Sequence, residues 1–207
     1  MFSDLARDDV FRIETARLWL RWPKAADAPA IRRYAGDFSV ARWMSVIPHP
    51  YPPGAADGFI LNARAHNSEG NALEMVVTTL KNPREAIGGV GLSRRPYGLM
   101  LGYLFAPEHW GQGYAGEAAG AMVDAAFSLS GVDRLHAGAD VDNSASLRVL
   151  DKLGFAVSGR AEEFSEALGA TRMVAKAALT REAWLARKAA FAAKALGARG
   201  ARAAEAQ

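Results

Sequence analysis

The chain of 207 residues contains no cysteine. Disulfides and thiolate nucleophiles are thereby excluded, and the redox compartment is left open. With only four histidines besides, a structural zinc site is not expected, and no metal is assigned. No apolar run approaches the roughly 18 residues that a membrane-spanning helix requires. The opening MFSDLARDD is acidic and lacks the basic and apolar regions of a signal peptide. These absences lead us to expect a soluble, cytoplasmic protein with no membrane partner. The net charge of +3 is too small to argue for nucleic acid, although it suits a small anionic ligand. What is present is the composition of an ordinary enzyme domain: half the residues are apolar, and the length suits one domain with a proper core.

The most informative stretch is APEHWGQGYAGEAAGAMVDAAF, Ala106 to Phe127. Gly111, Gly113 and Gly116 open a helix whose first turn leaves several backbone N–H groups unpaired. With the positive end of the helix dipole behind them, such donors suit a phosphate or pyrophosphate. Glycine allows an anion to approach closely and tolerates positive φ. A P-loop is excluded because no Lys-Ser or Lys-Thr follows the last glycine. A dinucleotide fingerprint fits the letters GxGxxG, with Asp140 near the end of the next strand. Its context is poor, because Pro107, Glu108, His109 and Trp110 separate strand from glycine, where that fingerprint runs almost directly into the turn.

Hydrophobic periodicity gives alternating elements. Leu18, Leu20 and Trp22 alternate with Arg17, Trp19 and Arg21, the period of a strand. Asp27 and Pro29 open a helix stopped by Gly36, Ser39–Met44 forms a short helix, and another runs from Ala55 to about His66. Strands are predicted at Ala72–Leu80, Ala86–Leu92 and Leu99–Phe105, with turns at 81–84 and 94–97. Helix Tyr114–Ser130 buries Met122, Val123, Ala126 and Phe127 and is capped by Gly131. Strand Arg134–Val141, helix Ser144–Leu153 and strands Phe155–Arg160 and Thr171–Leu179 complete a mixed sheet, and a helix begins at Thr180. Residues 188–207 are alanine-rich with scattered Lys and Arg, interrupted by Gly197 and Gly200. They read as a helical or disordered tail on a single domain of residues 1–187, with a nucleic-acid contact as a secondary reading.

The run LGYLFAPEHWGQGYAGEAAGAMV resembles the pyrophosphate-binding motif of the GNAT superfamily of N-acetyltransferases. The six-residue loop is Trp110, Gly111, Gln112, Gly113, Tyr114 and Ala115, with Trp110 where that family usually carries Gln or Arg. The segment Asn143-Ser144-Ala145-Ser146, followed by Leu150, Lys152, Gly154 and Phe155, is similar to the family segment lying along the CoA arm. Thr15, Arg17, Leu18, Leu20 and Arg21 resemble the Thr-x-Arg-Leu-x-Leu-Arg opening of the branch that includes ribosomal-protein N-terminal acetyltransferases.

The resemblance implies an α/β GNAT fold: a mixed, mostly antiparallel central sheet, splayed at the cofactor site and flanked by helices. It implies acetyl transfer from acetyl-CoA to a primary amine, on a protein N-terminus or a small molecule, by a monomer or homodimer. A non-catalytic acyl-CoA-binding module and a dinucleotide-binding domain are the alternatives. Cofactor contacts are expected from Phe105 and Ala106 at the strand end, from Trp110 through Gly116, and from Asn143 and Ser146. A backbone N–H around Leu104–Ala106 is expected to polarise the thioester. The tyrosine that many relatives use to assist the leaving thiolate is Leu150 here, so Ser146 is the remaining hydroxyl for that role, or else a helix-capping residue. Candidates for the general base are Glu74 and Glu108; the acidic residue that this branch often carries before Leu-Gly-Tyr is Met100 here. Tyr51 and Trp43 are candidate walls of the acceptor pocket, which the loops 36–71 and 158–170 would shape.

Overall fold

Apolar and β-branched runs, separated by glycine- and proline-containing turns, build one eight-stranded sheet in the order β1-β2-β3-β4-β5-β6-β8-β7. The computed structural model describes residues 11–191 and 193. The strands are β1 (Arg12–Glu14), β2 (Leu18–Arg21), β3 (Ala72–Thr79), β4 (Gly88–Arg95), β5 (Gly98–Phe105), β6 (Arg134–Asp140), β7 (Ala156–Ser165) and β8 (Ala170–Thr180). The helices are α1 (Ala28–Gly36), α2 (Phe38–Ala41), α3 (Ala55–Ser68), α4 (Tyr114–Leu129) and α5 (Ser144–Leu153), followed by α6 at 181–191. All neighbours pair antiparallel except β5 and β6, which run parallel because α4 carries the chain across the sheet between them.

Two apolar layers hold the sheet. On one face Leu73, Met75, Val77, Leu99, Leu101 and Phe105 pack with Met122, Val123, Ala126 and Phe127 of α4. On the other, Val76 packs with Ile31, Tyr34, Ala56 and Ile60 of α1 and α3. Because β3 is covered on both faces, its sequence is a nearly continuous apolar run instead of an alternating one. Glu74 interrupts that run on the α1/α3 face.

The structure departs from the sequence-based expectations at element ends. Arg94 and Arg95 belong to β4, pairing with Leu99 and Gly98, so the turn is only Pro96-Tyr97. Ser130, not Gly131, ends α4: its N–H and its hydroxyl both donate to the Ala126 carbonyl. The stretch 158–170, expected as an acceptor loop, is mostly strand, since β7 runs on to Ser165 against β8. Its exposed, charged sequence is that of an edge strand and carries no apolar alternation. The three-residue β1 was too short to give a period. Of the tail, residues 188–191 and 193 are helical, and the rest lies outside the described residues.

Candidate active site

Beyond Leu101 and Ala137 the two parallel strands part. Leu99, Met100 and Leu101 pair with Leu135, His136 and Ala137, whereas Gly102–Phe105 and Gly138–Asp140 do not pair with one another. A gap therefore opens in the middle of the sheet, with the glycine loop and α4 beyond the end of β5 and α5 beyond the end of β6.

The loop is stapled from within. The Trp110 indole N–H donates to the Phe105 carbonyl at 2.7 Å, and the Gln112 side-chain amide donates to the Glu108 carbonyl at 3.0 Å. Gly111 and Gly113 take the left-handed conformation at φ +72° and +79°, which explains why glycine stands at both positions. Among the described residues, none of the N–H groups of 111–116 donates to a protein acceptor. A β-carbon on Gly111 or Gly116 would meet open space. This is a nest of donors at the N-terminus of a 16-residue helix, a fit for a pyrophosphate. Arg17 flanks it: Nε bonds Glu117 at 2.7 Å, Nη1 donates to the Gln112 carbonyl at 2.9 Å, and the guanidinium stacks 4.7 Å from the Tyr114 ring centroid. Hydrogen bonds from Thr15 and Arg17 outweigh the opposing effect of burial and hold the Glu117 carboxyl below its ordinary range.

On the α4 side of the gap stands a pair of hydroxyls. Asn143 caps α5, its Oδ1 accepting from the Ser146 N–H at 3.0 Å, which puts Ser146 in the first turn facing β5. The Tyr103 hydroxyl, half-buried on the same face as Leu101 and Phe105, lies 2.8 Å from Ser146 Oγ. Burial pushes the Tyr103 phenol up, against the side-chain hydrogen bond with Ser146, in which either hydroxyl can donate. Sequence reasoning missed Tyr103, because the resemblance directed attention to position 150, and Leu150 is in the core at 3% exposure. The signal available was alternation along β5, which sets Tyr103 on the α4 face with Leu101 and Phe105. Ala106, expected among the oxyanion donors, has its N–H committed to the Ile87 carbonyl at 3.0 Å.

The opposite face carries Glu74. It is in register with Gly91, and Gly91 with Gly102, so the three share a face across β3, β4 and β5. The carboxylate lies flat over Gly91, where any β-carbon would collide with it, and Gly102 beside it presents bare backbone. Asn67 of α3 grips Glu74 through both backbone groups, at 2.7 and 2.9 Å. Burial raises the Glu74 carboxyl above the ordinary range, and the positive charges of Arg95 and His66 only partly counter it. Glu108, by contrast, is exposed and lies 3.7 Å from Arg33 on the surface. Trp43 and Tyr51 are half-buried. Tyr51 packs against the α1/α3 core, and the Trp43 carbonyl accepts from Arg172 at 3.1 Å. Arg172 also bonds Asp140 and Ser45, both at 3.1 Å, fastening the 43–45 segment to β6 and β8.

Residues 17–156 match the family model described as an acetyltransferase (GNAT) domain. An uncharacterized N-acetyltransferase, p20 of Bacillus licheniformis, is 27% identical over 159 residues, 75% of this chain and 88% of its own length. The solved structures that share the fold include two acetyltransferases. RimJ of Mycobacterium smegmatis, in complex with CoA-disulfide, superposes with a TM-score of 0.70 at 23% identity, covering 80% of this chain and 82% of that one. The ribosomal-protein-S5-alanine acetyltransferase of Vibrio fischeri gives 0.66 at 24% identity, covering 84% and 98%. Among the described residues no helix is long and apolar enough to cross a membrane. With the splayed parallel pair, the donor nest at α4 and a family match over most of the sheet all in agreement, the chain belongs to the GNAT acetyltransferase family.

Proposed function

We propose that this protein transfers an acetyl group from acetyl-CoA to a primary amine by direct attack in a ternary complex. The observation that carries the reading is the gap between β5 and β6, which has different chemistry on its two faces. The Tyr103–Ser146 hydroxyls stand on the α4 face, and the Glu74 carboxylate over Gly91 on the other. The N–H groups of Gly111–Gly116 would receive the pyrophosphate, with Trp110 closing the loop behind them. The Asn143 amide nitrogen, left over from the cap, would hold the pantetheine arm. The Ala106 N–H is committed to the β4 side, and that of Leu104, two residues earlier on the strand, faces the same way. The donor to the thioester carbonyl therefore falls to Phe105, for a few kcal/mol of transition-state stabilisation.

The amine approaches over Gly102 from the Glu74 face. Its nitrogen forms the new C–N bond as the C–S bond breaks, and Glu74, directly or through one water, takes the surplus proton from nitrogen. We assign the base to Glu74 rather than Glu108, whose carboxylate faces Arg33 outside the gap. Ser146, its hydroxyl fixed by Tyr103, donates a hydrogen bond to the departing sulfur. Since a free thiol has a pKa of about 8.5, the thiolate needs little further help. The fold shared with a ribosomal-protein alanine acetyltransferase supports a protein N-terminus in the cytoplasm as the acceptor, with a small-molecule amine as the alternative.

Release of free CoA, followed with a thiol reagent across a panel of N-terminal peptides, polyamines and aminoglycosides, tests the reading. Turnover with one amine class is expected. Tight acetyl-CoA binding with no turnover on any amine would leave a binding module instead of an enzyme.

A further inference from the structure

The opening motif containing Thr15 and Arg17 has no catalytic role in the reading above, yet it reaches across the molecule to the glycine loop. Thr15 Oγ1 donates to Glu117 Oε1 at 2.6 Å, and the Arg17 backbone N–H donates to the same oxygen at 2.8 Å. With the carboxylate held, Arg17 Nε takes Oε2, leaving Nη1 aimed at the Gln112 carbonyl and Nη2 beside Gly113, 3.4 Å from where its β-carbon would be. The Tyr114 ring supports the guanidinium plane. These contacts converge on one peptide unit, Gln112–Gly113.

The orientation of that peptide decides whether the loop binds or repels an anion. That peptide turns by opposite changes in Gln112 ψ and Gly113 φ, and Gly113, at φ +79° and without a β-carbon, tolerates both signs of φ. In the observed orientation the Gln112 carbonyl turns away to Arg17 and the Gly113 N–H stays with the unpaired donors of 111–116. Rotated, the carbonyl would face the phosphate and the N–H would leave the nest. We propose that Arg17, held by Thr15 and Glu117, is a positioning residue that locks the Gln112–Gly113 peptide in its anion-binding orientation. Its role is thus to set affinity for the pyrophosphate half of CoA. The inference rests on the acetyl-CoA reading of the site.

Steady-state kinetics of Arg17→Ala and Arg17→Lys with two donors provide the test. With acetyl-CoA, we expect Arg17→Ala to raise KM at least tenfold while kcat changes less than twofold. Acetyl-pantetheine, which lacks the pyrophosphate, should be used by wild type and variant with equal kcat/KM. Lysine keeps the charge but cannot span Glu117 and the Gln112 carbonyl together, so Arg17→Lys should still show at least a fivefold rise. An unchanged KM for acetyl-CoA, full rescue by lysine, or an equal loss with acetyl-pantetheine would each overturn the assignment. If Arg17→Ala does not fold, Arg17→Lys alone carries the same expectations. Calorimetry with CoA on the wild type separates the two levels. No binding there defeats the proposed function, whereas wild-type binding that the substitutions leave untouched defeats only the positioning role.

Discussion

Glu74 and Tyr103 lie on opposite faces of one sheet, and burial pushes both toward their protonated forms. The consequences differ. A tyrosine kept protonated remains a hydrogen-bond donor to Ser146 at every working pH, so Tyr103→Phe should lower kcat about tenfold, roughly 1.4 kcal/mol, with KM for acetyl-CoA unchanged. Loss of the same size with Ser146→Ala, and no further loss in the double variant, would identify the two hydroxyls as one unit. An additive double variant would separate them.

A base must be ionised, so activity should rise with pH through a Glu74 pKa above the usual value of about 4.3. Glu74→Gln should remove that limb and cost on the order of 10²-fold in kcat. The effect on stability has the opposite sign. Because the folded-state pKa exceeds the unfolded one, ionising Glu74 costs folding free energy above the folded pKa and nothing below the unfolded one. Glu74→Gln should therefore raise Tm at pH 8 and leave it unchanged at pH 4. A Tm that falls at pH 8 would mean the charged carboxylate has a stabilising partner.

At the scale of elements, the site consists of helix starts and strand ends, which differ in how far sequence reveals them. The loop at 110–116 and the helix Ser144–Leu153 were legible, because left-handed glycines and an Asn cap leave local marks in the chain. The far ends of β4 and β7 were not. Exposed β7 extends to Ser165 through pairing with β8, and its own residues give no apolar alternation to announce it. Asn143 serves both a cap and the proposed cofactor arm, so Asn143→Ala should cost about 1 kcal/mol of stability and also weaken CoA. Gly113→Ala should be costlier to the fold than its surface position suggests. A β-carbon at φ +79° carries roughly 1–2 kcal/mol of strain and would crowd Arg17. Chemical denaturation of both variants, with and without CoA, checks these values.

For the whole molecule, stability resides in the two packed faces of the sheet and in the first turns of α6. Trp184 is 8% exposed, stacks on Phe127 with centroids 5.2 Å apart and donates its indole N–H to Asp124 at 2.6 Å. Trp184→Ala should cost about 3 kcal/mol or more. Removing everything after Lys188 should change stability by no more than about 0.5 kcal/mol and leave kcat intact, since residues 189–191 are exposed. A larger loss on truncation would make the tail part of a core or subunit interface.

The sequence by itself determined the element types, the donor loop and the family, because each depends on local pattern: periodicity, glycines with positive φ, a cap at a fixed spacing. Only the tertiary structure decided which face each candidate occupies. Strand order, register and the point where β5 and β6 part arise from pairing between segments far apart in the chain. Those pairings brought Tyr103 to Ser146, laid Glu74 across Gly91, and carried Arg17 nearly a hundred residues along the chain to the loop it holds.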